Sequence, residues 1–118
     1  MLFRSDWNSA PQVLMSPDVA AGEVGFGRPL SFAAADGAHR LMLSVRSRSG
    51  YRLVETVREF KSGGRPALAD VIPEPREDWE REMTCFGAPC VANGHELLFY
   101  NGNGYGRTGI GLAWRPAR

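Results

Sequence analysis

Three groups of residues carry the types and spacings from which chemistry is usually built. Gly104-Tyr105-Gly106-Arg107-Thr108-Gly109 satisfies G-x-G-x-x-G and follows the apolar run Leu97-Leu98-Phe99-Tyr100. Such a loop holds a pyrophosphate only when a helix begins directly after it and an acidic residue stands about 20 positions further on. Here only residues 110–118 follow, and they read as a strand ending in Arg115-Pro116. A kinase-type glycine loop fails as well, because no catalytic loop comes after it. Asn101-Gly102-Asn103-Gly104 is therefore expected to form a turn in which Asn and Gly take positive φ. Cys85 and Cys90 lie five apart in one strand-like stretch, which sends their side chains to opposite faces and away from a mutual disulfide. His39 and His95 stand in turn-like surroundings, and no spacing of Cys, His and carboxylates suits a metal. Neither a metal nor an organic cofactor is expected.

The elements that must position any site are strands. Among 118 residues there are 14 Gly and 8 Pro, spread along the chain, a density that rules out long helices. Lys plus Arg number 14 against 13 Asp plus Glu, a formal charge of +1, which argues against bulk phosphate binding and a nucleic-acid partner. With 43% hydrophobic and 23% charged residues the chain reads as one globular unit. No apolar run approaches the roughly 18 residues of a spanning helix, so no membrane partner is expected. The N-terminus lacks the basic, apolar and small-residue order of a signal peptide. The location stays open, with the cytoplasm the favoured expectation. Leu2-Phe3-Arg4-Ser5 can be written CTC TTC CGA TCT, the end of a widely used sequencing adapter. Residues 1–5 are either a library scar or a genuine start, and they are set aside from the fold.

The remainder is organised by a repeat. Gly27-Arg28-Pro29 opens one copy and Gly87-Ala88-Pro89 the other, the prolines standing 60 positions apart. Asp36-Gly37 precedes Leu41-Met42-Leu43-Ser44-Val45, and Asn93-Gly94 precedes Leu97-Leu98-Phe99-Tyr100. Both dipeptides are strong hairpin signals between strand-like runs. A third strand follows in each copy, over residues 51–57 and 109–114. The runs are apolar on both faces, which implies antiparallel meanders stacked face to face rather than sheets facing water. Residues 73–83, proline-opened and charged, suit either a short helix with Pro at its start or an extended lead-in to the second copy, and the absence of an apolar stripe at helical spacing favours the lead-in.

Glu82-Met83, followed by Leu97-Leu98-Phe99-Tyr100-Asn101-Gly102-Asn103-Gly104-Tyr105-Gly106-Arg107-Thr108-Gly109-Ile110-Gly111-Leu112-Ala113, resembles the last blade of five-bladed β-propellers related to glycoside hydrolase families 43 and 32. These are the arabinanase, levansucrase and invertase-like folds. The upstream copy is similar to their penultimate blade, with Glu23 five residues before Arg28-Pro29, a strand ending Ser44-Val45-Arg46, and then Tyr51-Arg52. Three stretches depart from the pattern: Trp79-Glu80 replaces Trp-Asp, Phe86-Gly87 replaces an aromatic-Pro pair, and residues 58–64 erode the usual Ser-x-Asp-Gly-x-x-Trp ending. The resemblance implies an all-β chain of about two antiparallel blades, truncated from five. Residues 6–22 would be the tail of a preceding blade, 23–75 the penultimate blade and 76–118 the last.

It also implies chemistry. Glycoside hydrolysis by the usual route needs one protonated and one ionised carboxyl group flanking the scissile bond. Relatives of this fold place them on innermost strands of different blades, with the base or nucleophile in the first blade, which this chain does not carry. Glu23 and Glu82 stand where the chain approaches an inner strand and are the candidate catalytic residues, Glu23 the better general acid. An exposed turn for Glu23, or a salt bridge from Glu82 to Arg28 or Arg46, would account for them equally. Arg28 and Arg46 offer forks to sugar hydroxyls or acidic substituents, or ties between blades. Tyr105, in the glycine loop, is the candidate platform for a sugar face, while Tyr100 and Trp114 lie within strands and are expected in the core. Asn101 and Asn103 are candidate sugar contacts, although turn chemistry explains both. The expected partners are a glycan substrate and the remaining blades. The chain is expected to be inactive alone, the alternatives being a non-catalytic carbohydrate-binding or scaffold propeller, or a chain that completes a ring by self-association.

Overall fold

The computed structural model describes residues 13–34, 36–57, 65–74 and 77–116. The protein is all-β. Strands β1 (Glu23–Ala33), β2 (His39–Ser47), β3 (Gly50–Thr56) and β4 (Leu68–Asp70) form one antiparallel sheet in chain order. Strands β5 (Cys85–Ala92), β6 (His95–Asn101) and β7 (Ile110–Pro116) form a second. Residues 77–84 run between the sheets through turns, with Glu80 N–H donating to the Glu77 carbonyl at 3.1 Å, and form no helix. Residues 1–5 and the eroded 58–64 segment lie outside the described residues.

The turns that join these strands follow from residue type. Asn93 (φ 50°) and Gly94 (φ 75°) form the two-residue connection of β5 and β6, both at positive φ as a type I′ hairpin requires. At the β1–β2 connection the Asp36 carboxylate accepts the Ala38 N–H at 2.9 Å, the local bond that makes Asp a turn former.

Two apolar clusters explain the absence of alternation in β2, where five consecutive residues, Leu41 to Val45, are buried. Leu41, Leu43 and Val45 pack with Val54, Phe26, Leu68 and Met15 on one face. Met42 on the other face joins Leu53, Leu98 and Tyr100 between the sheets. Each fully buried aliphatic side chain contributes about 1.5–3 kcal/mol. Polar groups stitch the sheets: Phe86 N–H donates to Ser44 Oγ at 2.9 Å, Leu53 N–H to Thr84 Oγ1 at 3.3 Å, and Thr84 N–H to the Tyr51 carbonyl at 3.2 Å. At the opposite end Arg115 forks onto Glu55 at 2.8 and 3.0 Å and donates through Nε to Glu96.

Tyr100 sits in this interface, stacked on Trp79 and donating to the Glu80 carboxylate at 3.2 Å. Burial, together with the charge of Glu80 and that hydrogen bond, pushes its hydroxyl up to about 12 from 10. A raised folded-state value favours the protonated hydroxyl in the fold, so this contribution is complete below pH 10 and is lost as pH rises toward 12. Urea unfolding measured across that window is expected to weaken steadily, and less so in Tyr100→Phe; an equal slope in both would contradict the assignment.

The outward face of the second sheet is apolar. Cross-strand pairs Leu97–Trp114, Phe99–Leu112 and Asn101–Ile110 share it, and Trp114 remains 65% exposed, Ile110 72% and Leu112 56%. Trp114, expected in the core, instead lies on this open face against His95, because no further layer covers β7 among the described residues. Tyr100 is in the core as expected. Cys85 is fully buried and Cys90 exposed on β5, and burial raises the Cys85 thiol above its ordinary range, leaving it unreactive. No helix among the described residues is long and apolar enough to cross a membrane.

Candidate functional site

Backbone strain gathers at one end of the two sheets. Among the described residues four non-glycine residues take positive φ, and apart from the hairpin Asn93 they are Arg28 (46°), Phe86 (56°) and Tyr105 (59°). An L-residue costs about 1–2 kcal/mol in that region, so each must be held by its surroundings. Arg28 lies in the β1 register shift between Gly27 and Leu30, and Phe86 in the β5 shift between Cys85 and Ala88. Tyr105 projects from the loop that links β6 to β7.

The two bulges and the loop bring three rings together. Phe86 and Tyr105 stack at 5.8 Å and 20°, Tyr51 meets Tyr105 edge-on at 5.7 Å, and Tyr51 lies 5.9 Å from Phe86. Gly27 forms the floor: a Cβ there would stand 3.6 Å from both the Phe86 and Tyr51 rings. Tyr105 keeps 54% of its surface exposed, an aromatic face held open to solvent on a rigid base. Arg46 stands directly opposite Tyr51 in the β2–β3 ladder and opposite Gly25 in the β1–β2 ladder, so it borders the rings on the same face.

Asn103 builds the loop that presents Tyr105. Its buried side chain accepts the N–H groups of Glu82 and Met83, each at 2.9 Å, and donates to the Asp78 carbonyl at 2.8 Å. Thr108 Oγ1 adds a bond to the Trp79 carbonyl at 2.6 Å. Asn103 is therefore a clamp between the Gly-rich loop and the lead-in segment, the structural role that turn chemistry offered as the alternative to a sugar contact. Asn101 donates to the Tyr105 carbonyl at 3.3 Å and likewise supports the loop. Gly104 and Tyr105 take positive φ there, whereas neither Asn101 nor Asn103 does, because side-chain hydrogen bonding rather than left-handed backbone is their contribution.

The two candidate carboxylates differ. Glu23 is buried, and its oxygens take two hydrogen bonds from Arg65 at 2.8 Å and one from the Asp18 N–H at 2.8 Å, with Arg52 at 3.9 Å. Burial alone would raise its pKa, but the Asp18 N–H and the Arg65 and Arg52 guanidinium groups outweigh it and hold Glu23 below its ordinary 4.5. These partners hold Glu23 as an anion, whereas a general acid carries its proton at working pH. A depressed folded-state value supplies stability above about pH 4.5 that is lost as pH falls through it. Acid unfolding of Glu23→Gln is expected to show a shallower pH slope below 4.5 than the parent chain, and identical slopes would contradict this. Glu82 is exposed and lines a pocket of about 260 Å³ with Tyr51, Arg52, Asp70 and Glu80. It forms no ion pair with Arg28 or Arg46 among the described residues.

The structure thus brings Arg28, Arg46 and Tyr105 to one end and places Glu82 on the pocket that Tyr51 also lines. It sets Glu23 apart in an ion pair on the other face of the first sheet, where Arg52 lies with Phe26 and Val54. Sequence reasoning missed Tyr51 and Phe86 as site residues and Arg65 as the partner of Glu23. The signal for Phe86 was its departure from the aromatic-Pro pair, since Phe-Gly at a strand start suits a bulge. No three His, Cys, Asp or Glu side chains converge on a metal position among the described residues. Compared with family models, curated proteins and solved structures, the chain finds no match in any of the three.

Proposed function

We propose that the two sheets are consecutive blades of a five-bladed propeller of the glycoside hydrolase 43 and 32 type, and that their aromatic end binds a glycan. The observation that carries the binding role is the Tyr51–Phe86–Tyr105 cluster, two of whose rings are held on strained backbone while Tyr105 stays open. Sugar rings present apolar C–H faces that stack on such platforms, and strain of this kind persists where function requires it. The propeller reading is supported by two antiparallel meanders stacked in chain order, and by the apolar outer face of the second sheet, which suits a further blade.

A binding role without hydrolysis is favoured by one observation, the Arg65 pairing that engages both Glu23 carboxylate oxygens on the sheet face away from the rings. Glu82 is then the carboxyl group this chain contributes to the site, and hydrolysis needs a second from another blade. Calorimetric titration of the chain with arabino-, fructo- and xylo-oligosaccharides is expected to show binding without release of reducing ends. Tyr105→Ala is expected to weaken it about tenfold, the loss of roughly 1.4 kcal/mol of ring stacking. Equal affinities for the variant and the parent chain would refute the platform.

A further inference from the structure

We infer that the aromatic end takes an acidic glycan, one bearing carboxylate or sulfate groups; the inference rests on the glycan reading above. The described residues include nine arginines. Arg40, Arg52, Arg65, Arg81 and Arg115 have carboxylate partners, while Arg28, Arg46, Arg48 and Arg107 have none among the described residues. All four unpartnered guanidinium groups are exposed, and all four lie at the end of the sheets that carries the rings.

Their placement follows from the ladders. Arg28 follows Gly27, the floor beneath Phe86 and Tyr51. Arg46 stands opposite Tyr51, and Arg48 lies two residues on, in the tight β2–β3 turn. Arg107 follows Tyr105 by two residues and folds back along Gly104, where a Cβ would come within 2.9 Å of its Nε. The acidic side chains on this side are Glu80, which accepts the Tyr100 hydroxyl, Asp70, which pairs with Arg52, and Glu82. Among the described residues, the arginines without a carboxylate partner therefore gather around one aromatic platform.

The guanidinium fork matches a carboxylate or sulfate in two parallel hydrogen bonds, and a ring stacks on the C–H face of the same sugar. A uronic acid or sulfated sugar offers both features on one residue, whereas a neutral sugar leaves the forks unused. A nucleic acid offers them too, but its repeating phosphates call for a basic stripe that tracks a backbone, and the arginines here form a local group around three rings.

The test uses the full chain at low salt, titrated with trigalacturonate, a hyaluronan tetrasaccharide and a chondroitin sulfate tetrasaccharide. The carboxyl-methylated form of the first two, the desulfated and carboxyl-methylated form of the third and an oligothymidylate serve as comparison ligands. At least one acidic oligosaccharide is expected to bind about tenfold more tightly than its neutralised form, with the preference shrinking as salt rises. Arg46→Gln, an exposed position, is expected to remove most of that preference at an unchanged thermal midpoint, lowering affinity for the acidic form more than for its neutralised form. Equal binding of acidic and neutralised forms would overturn the inference and leave the glycan reading standing. Binding of the oligothymidylate alone, or of no ligand, would overturn both.

Discussion

Gly111→Ala is expected to lower stability by about 3 kcal/mol, the upper end of what overpacking a core costs. Gly111 lies in β7 opposite Tyr100, and a Cβ there would stand 2.7 Å from Tyr100 Cζ and 2.9 Å from Cε1, and closer still to the Trp79 ring. Neither ring can yield. Trp79 and Tyr100 stack on each other at 5.6 Å, the Tyr100 hydroxyl is bonded to Glu80, and the Trp79 carbonyl is held by Thr108 and the Asn103 N–H. Gly87→Ala makes the informative contrast. Its added Cβ would meet Met42 Sδ at 2.7 Å, Leu53 Cδ2 at 2.9 Å and Leu98 Cδ1 at 3.0 Å, all ends of flexible side chains. About 1 kcal/mol is expected there, because rotamer shifts relieve the contact. Urea titrations of the two variants side by side measure the difference, and equal losses would show that the Trp79–Tyr100 stack is not rigid.

Arg115→Ala is expected to cost about 2 kcal/mol. Glu55, with a side chain only 9% exposed, receives both fork nitrogens of Arg115, and Glu96 receives the third. Removing the arginine leaves two carboxylates without it in the crevice between the sheets. A fully buried pair broken in this way costs about 3–5 kcal/mol, and the 38% exposure of the Arg115 side chain lets water recover part of that. The Arg115 guanidinium is stabilised in its charged form first by Glu55 and then, against its own burial, by Glu96. The double variant Glu55→Leu with Arg115→Leu should regain most of the loss, since it removes the uncompensated charge along with the pair. A single variant as stable as the parent chain would mean that the network is slack.

What the sequence revealed and what it hid divide along the range of the interactions. The type I′ turn at Asn93-Gly94, the three-strand rhythm of each copy and the absence of a helix from residues 77–84 are local, set by residue types a few positions apart. Double-sided burial of β2 was legible because its alternation vanishes. The ion pairs were not: Glu23 meets Arg65 across 42 positions and Glu55 meets Arg115 across 60, separations that no sequence period marks. The left-handed residues were hidden for a related reason. Propensity assigns positive φ to Asn and Gly, while Arg28, Phe86 and Tyr105 are held there by a register shift or by ring packing that exists only once both sheets are formed. Asn103 is the instructive case, because the same residue reads as a sugar contact in the loop motif and as a backbone clamp once residues 78–83 lie against it.

The central claim is that the Tyr51–Phe86–Tyr105 cluster is where a glycan docks. Its most direct test is the carbon-edited proton NMR spectrum of the aromatic rings, followed as a bound oligosaccharide from the panel is added to the full chain. The account predicts that the ring signals of Tyr51, Phe86 and Tyr105 move together and saturate, while those of the buried Tyr100 and of Trp114 on the outer face stay in place. Signals that move at Trp114 while the three clustered rings remain still would place the ligand on the open sheet face and contradict the account.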